Sequence, residues 1–166
     1  MENTMRTSLL AAGVVLALAA PSAVDAKNIV QTAQDAGTFN TLLAAAKAAG
    51  LADALATGKS LTVFAPTDEA FEALPAGTVD NLLKPENKDQ LVAVLSYHVL
   101  PRELMSNQLP GRTIHVKTIK GAGDQTLSVT KSGSGVKVDE ANVVAADVKA
   151  DNGVIHVIDK VLLPSN

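Results

Sequence analysis

Thr62-Val63-Phe64-Ala65-Pro66-Thr67-Asp68-Glu69-Ala70-Phe71 is the stretch whose reading decides the fold. Leu61 to Ala65 is β-prone, and Pro66 ends the strand because proline gives no ladder hydrogen bond. Thr67 then caps a helix whose first turn holds Asp68 and Glu69, acids that suit the positive end of a helix dipole. Phe71 and Leu74 point one way from that helix. A strand that turns sharply into an acid-capped helix is a corner of architecture. Thr62, Phe64, Ala65, Pro66, Thr67, Asp68 and Phe71 are therefore read as mainly structural.

Upstream of this corner the pattern is helical. Asn28 to Ala36 forms a first helix stopped by Gly37. Thr38 is expected to cap a second, in which Phe39, Leu42, Leu43, Ala46 and Ala49 recur at spacings of three and four, with Gly50 as its stop. Leu51, Ala54 and Leu55 make a further turn before Gly58. Downstream, Thr78 is expected to cap a short helix holding Val79, Leu82 and Leu83, and Leu91, Val94 and Leu95 form another helical stripe.

From Tyr97 the pattern changes to strands. Arg112 to Lys120 alternates. Thr126 to Lys131 and Gly135 to Val138 are joined by Ser132-Gly133-Ser134, a hairpin signal. Asn142 to Val148 is β-rich, and Asp151-Asn152-Gly153 is a turn in which Gly153 is able to take positive φ. Val154 to Leu163 is apolar on both parities, as a central buried strand would be. Helices first and strands later predict an α+β domain with an antiparallel sheet.

The first segment reads as an address label. Arg6 precedes an apolar or small run from Leu9 to Ala20, and Val24-Asp25-Ala26 offers a cleavage site before Lys27. Residues 1–26 are therefore expected to be a removable signal peptide and 27–166 the domain, exported to the periplasm or the extracellular space. The apolar run is only twelve residues, too short to cross a bilayer core that needs roughly 20, so no transmembrane span is expected. An exported chain without Cys has no disulfides, and its core must be self-sufficient.

The formal charge is −3, which argues against a protein built to neutralise nucleic-acid phosphates. With no Trp and a single Tyr, there are few platforms for stacking bases or sugars. Ser96 and His98 are neighbours, but no Gly-x-Ser-x-Gly elbow accompanies them. Gly121-Ala122-Gly123 lacks the strand-to-helix context of a phosphate cradle. His98, His115 and His156 lie too far apart in sequence to make a local metal-ligand pair, leaving only a site assembled in space. No catalytic residue, metal or cofactor is expected.

Three segments together resemble the fasciclin domain family: Thr62 to Phe71, then Tyr97-His98-Val99-Leu100, then Asn152-Gly153-Val154-Ile155-His156-Val157-Ile158-Asp159 followed by Lys160-Val161-Leu162-Leu163-Pro164. The resemblance covers essentially the whole of 27–166. It implies a helical layer packed beside a wedge of two mainly antiparallel β-sheets. It also implies an extracellular or envelope adhesion module without catalytic activity, binding a cell-surface, envelope or matrix protein or glycan. In animal members, integrin recognition is assigned to an Asp-Ile pair just before the third segment and to the region around the Tyr-His pair. Asp147-Val148 occupies the matching position, followed by Lys149 where the animal motif has an apolar residue. Asp147, Val148, Tyr97 and His98 are thus the candidate contact residues. Asn152, Gly153, Ile155, His156, Ile158 and Asp159 are read as mainly structural. Two alternatives stay open: a ligand-binding domain with a pocket near His98 and His156, and a structural protein acting by self-association.

Overall fold

The computed structural model of the chain describes residues 26–119, 125–133 and 135–164. The expected signal peptide, but for Ala26, lies outside the described residues, as does Lys120 at the end of the alternating run.

The chain begins with three helices, α1 (Ile29–Ala36), α2 (Asn40–Ala49) and α3 (Ala52–Thr57), then β1 (Leu61–Pro66), α4 (Asp68–Glu72), α5 (Thr78–Leu82) and α6 (Lys88–Tyr97). Strands β2 (Val99–Leu100), β3 (Thr113–Lys117), β4 (Thr126–Ser132), β5 (Gly135–Val138), β6 (Ala141–Ala150) and β7 (Gly153–Ile158) follow. They hydrogen-bond in the order β2-β1-β7-β6-β5-β4-β3. The sheet is mainly antiparallel, with one parallel pair, β1 beside β7. Helices occupy the region between β1 and β2 and the final strand returns beside β1, which is how a parallel neighbour arises in an α+β chain.

Two sheets share β6. Its first residues pair with β5 through Asn142 and Ala141, and the rest pair with β7 across two register shifts between Val143 and Val148. Bulges of this kind bend a strand and let one sheet turn into the next. The wedge encloses one core and the helices enclose another. Val63, Ala65 and Ile155 face Ile29, Phe39, Leu42 and Leu95 in the helical core. Phe64 and Ile158 face Leu100, Val116, Leu127 and Val138 between the sheets. Successive residues of β1 and β7 thus enter opposite cores, and their sequences are apolar on both parities for that reason.

Several boundaries differ from the sequence reading. α2 starts at Asn40 with Phe39 at its N-cap and no side-chain cap of its own. Asp68 on α4 takes Thr38's expected place: its carboxylate accepts from the Asn40 N–H at 3.2 Å and the Thr41 N–H at 2.8 Å. A charged acceptor from another element displaces the local hydroxyl. Gly77, in the left-handed region at φ 83°, is the N-cap of α5, and Thr78 is its first helical residue. Gly153 does not need positive φ. It opens β7 where a Cβ would lie 2.0 Å from the Leu61 carbonyl oxygen, so only hydrogen fits. β7 ends at Ile158, well before Leu163, because the Asp159 carboxylate turns to accept from the Asn142 N–H at 2.8 Å and the Asn142 side-chain amide at 2.9 Å.

Candidate functional site

The candidate contact residues fall into two separate arrangements, Tyr97 with His98 and Asp147 with Val148. The first is built by the end of α6. Leu91, Val94, Leu95 and Tyr97 bury the inner face of that helix, which carries Tyr97 and His98 into the interior at 3% and 1% exposure. The Tyr97 hydroxyl lies 3.0 Å from both the Thr126 carbonyl oxygen and the Asp139 carboxylate. That carboxylate also accepts from the Ser128 N–H at 2.9 Å, so Tyr97 pins β4 to the β5–β6 turn.

His98 is fully committed to the backbone. Its Nδ1–H donates to the Val94 carbonyl at 2.7 Å, and its Nε2 accepts the Leu162 N–H at 2.9 Å. Burial disfavours the charged ring and pulls its pKa down to about 4, against the opposing pull of the Val94 carbonyl. The imidazole is a neutral cross-brace between α6 and the C-terminal segment.

The second arrangement surrounds the β6 bulge. Asp147 sits in the left-handed region at φ 56°, a conformation that Asp tolerates better than most residues. Its carboxylate accepts the Ser106 N–H at 2.7 Å and also the Ser106 hydroxyl. The Lys131 ammonium closes the cluster by donating to the Ser106 carbonyl at 3.1 Å. Burial alone would raise the Asp147 pKa, but the two Ser106 donors and the His156 and Lys149 charges outweigh it and hold the carboxyl below its usual value. Beneath it, His156 accepts the Asp147 N–H at Nδ1 (3.3 Å) and donates from Nε2 to the Leu104 carbonyl at 2.6 Å. The His156 ring stacks on Phe64, with centroids 5.5 Å apart. Burial lowers its pKa despite the Leu104 carbonyl and the Asp147 charge.

The bulge therefore forms a fixed platform. Val148 packs inward against the helical core, while Val144 stands outward at 61% exposure beside exposed Ala145 and Ala146. The sequence reading singled out the acid and missed Val144. The signal available was the run Val143-Val144, apolar on both parities in a strand with one wet face.

The remaining motif residues hold the frame. The Thr62 hydroxyl donates to the Arg102 carbonyl at 2.7 Å and accepts the Leu104 N–H at 2.8 Å. Asn152 accepts the Ile29 N–H at 2.8 Å and donates to the Leu55 and Gly58 carbonyls at 2.7 and 2.9 Å. Among the described residues, no group of three or more His, Cys, Asp or Glu side chains is placed to hold a metal ion. Nor is any described helix long and apolar enough to cross a membrane.

This architecture, a helical layer against a wedge of sheets joined at a bulged strand, is that of the fasciclin domain of an insect cell adhesion molecule, Fasciclin I. The structure of a domain pair from that protein matches with a TM-score of 0.70 at 19% identity, over 82% of this chain and 51% of that one. The fasciclin domain family model matches residues 37–164, and the chain belongs to that family. It is similar to Protein sll1483 of a Synechocystis species, 50% identical over 84% of this chain and 74% of that protein. It is also similar to Immunogenic protein MPB70 of Mycobacterium bovis, 38% identical over 69% of this chain and 54% of that protein. Transforming growth factor-beta-induced protein ig-h3 of Sus scrofa is 40% identical over 76% of this chain, which spans 18% of that much longer protein.

Proposed function

We propose that the chain is an exported, non-enzymatic adhesion module that binds a protein or glycan partner in the cell envelope, at the cell surface or in the matrix. The observation that carries this is the β6 bulge: an outward apolar side chain, Val144, on a platform that is locked from beneath. Membership of a family with a domain in a cell adhesion molecule supports the reading. So do the two buried histidines, His98 and His156. Each has both ring nitrogens hydrogen-bonded to the backbone, which leaves neither one free as a general base.

In this reading the exposed residues Val144, Ala145 and Ala146 are the contact surface, while Val148 anchors the bulge to the helical core. Asp147 acts by holding the Ser106 loop against the bulge, Tyr97 by pinning β4 to the β5–β6 turn, and His98 by bracing α6 against the C-terminal segment. A rigid platform loses little conformational entropy when it binds, which suits an adhesive surface of modest size.

The test is saturable binding of labelled protein to envelope fractions. Val144→Lys should remove most of the binding and leave the unfolding temperature unchanged. Asp147→Ala should weaken binding and also loosen the Met105–Ser106 loop, seen as faster amide exchange at Ser106. Full binding by Val144→Lys would place the contact elsewhere, and no saturable binding by the parent would remove the adhesion reading.

A further inference from the structure

A cavity of about 200 Å³ lies where α2, α3, α6, β1 and β2 meet. Leu42, Leu55, Val63, Leu95 and Val99 form much of its wall, and almost all of the lining surface is apolar. His98 is the one imidazole in the wall, and both of its nitrogens are already bonded to Val94 and Leu162. The wall therefore offers a ligand no hydrogen bond from that ring. His156 is not among the lining residues, so the two histidines do not share this site.

We infer that this cavity is a binding site for a single aliphatic chain. Two observations carry the inference. The first is size: a dry engineered cavity of about 150 Å³ lined by Leu, Ile and Phe is enough to bind benzene. The second is chemistry: the lining is aliphatic, with no Phe, Tyr or Trp to stack on a ring, so an alkyl chain fits better than an aromatic one. A polar group inside would go unsatisfied, so any headgroup stays at the mouth, where Ala54 and Ile119 are exposed. Walls left without contact partners forfeit dispersion attraction that a chain would restore.

The experiment is a titration of the protein, purified after expression of the full chain, with straight-chain 1-alkanols from butanol to dodecanol. Binding is followed through the methyl resonances of Leu42, Leu55, Val63 and Val99. Affinity should tighten about fourfold with each added methylene and then level off once the cavity is full. Ala54→Trp, at an exposed helical position on the rim, should weaken binding at least tenfold while the unfolding temperature holds. Ile119→Trp serves as a second plug where the first variant fails to fold. Lys137→Ser, exposed on β5 and outside the cavity, should bind like the parent. Affinity independent of chain length, or equal affinity in parent and plugged proteins, overturns the inference.

Co-sedimentation with phosphatidylcholine vesicles separates the sources of the chain. Sedimentation lost on plugging assigns a membrane lipid tail, whereas alkanol binding without sedimentation assigns a free aliphatic molecule. Neither readout depends on attachment to envelope fractions, so failure here and failure of the adhesion reading are separable.

Discussion

Asn152 joins three segments that are distant in sequence, and its replacement gives the sharpest test of how this fold is held. Its Oδ1 accepts the Ile29 N–H at the start of α1, at 2.8 Å. Its amide faces the carbonyls of Leu55 at 2.7 Å, Gly58 at 2.9 Å and, more distantly, Ala56 at 3.3 Å, around the end of α3. Two amide hydrogens serve the two shorter contacts, making three good bonds in all. At about 1 kcal/mol net for each, Asn152→Ala should cost about 3 kcal/mol, since all three backbone groups sit at helix ends without intrahelical partners. For a domain of this size that lowers the unfolding temperature by roughly 12 °C. Asn152→Asp is nearly the same shape and keeps the acceptor for Ile29, but it turns a carboxylate oxygen toward the α3 carbonyls. It should cost more than the Ala variant at neutral pH, and recover part of the loss in acid as protonation restores one donor. Urea and thermal unfolding of the three proteins at two pH values decide the matter. An Asp variant within about 0.5 kcal/mol of the parent at neutral pH would refute the reasoning.

Three further outcomes follow from the geometry. Gly153→Ala drives a Cβ to within 2.0 Å of the Leu61 carbonyl oxygen in the parallel β1–β7 pair, and should cost more than about 4 kcal/mol, read as loss of cooperative unfolding. Asp68→Ala should destabilise α2 by about 1 to 2 kcal/mol in urea unfolding, while exposed Thr38→Ala changes stability by less than about 0.5 kcal/mol. Buried His98 has its pKa depressed from 6.5 to about 4, so the unfolded chain binds the extra proton between those values. Its stabilisation is complete above pH 6.5 and is lost as pH falls toward 4, by about 3 kcal/mol. The urea midpoint should fall across that window in the parent and fall less in His98→Gln, with His156 adding in the same direction and the Asp groups losing theirs only below 3.8.

The frame was legible in the sequence where one residue's local preference agreed with its tertiary task. Gly37 stops α1 as read, and Asn28, read as the first helical residue, is its N-cap, one position before the helix, because an Asn cap and a left-handed Gly are chosen by the helix itself. The β4–β5 hairpin was legible for the same reason, its register closing at Ser132 and Gly135 around Gly133. Reading failed where a distant group took over a local role. Asp68 caps α2 from 28 residues away, and no pattern near Thr38 announces it. The parallel pairing of β1 with β7 was equally hidden, since a strand buried on both faces looks the same in either direction.

The same distinction explains why the recognisable motifs say little directly about binding. Thr62, His98, Asn152, His156 and Asp159 each satisfy backbone groups from another element, and such a task fixes residue type tightly. The proposed contact surface would only have to present an apolar patch, a looser chemical constraint, and Val144, Ala145 and Ala146 form no motif. Asp147 stands at the junction: its side chain is spent on Ser106, yet its left-handed backbone sets the direction in which the bulge faces. Asp147→Gly separates these two roles, because Gly keeps φ 56° at no steric penalty while losing the carboxylate. If backbone direction is what matters for attachment, the Gly variant retains more envelope binding than Asp147→Ala, although both lose the Ser106 contacts. Equal loss in the two variants would show instead that the carboxylate's hold on the Ser106 loop is what the partner reads.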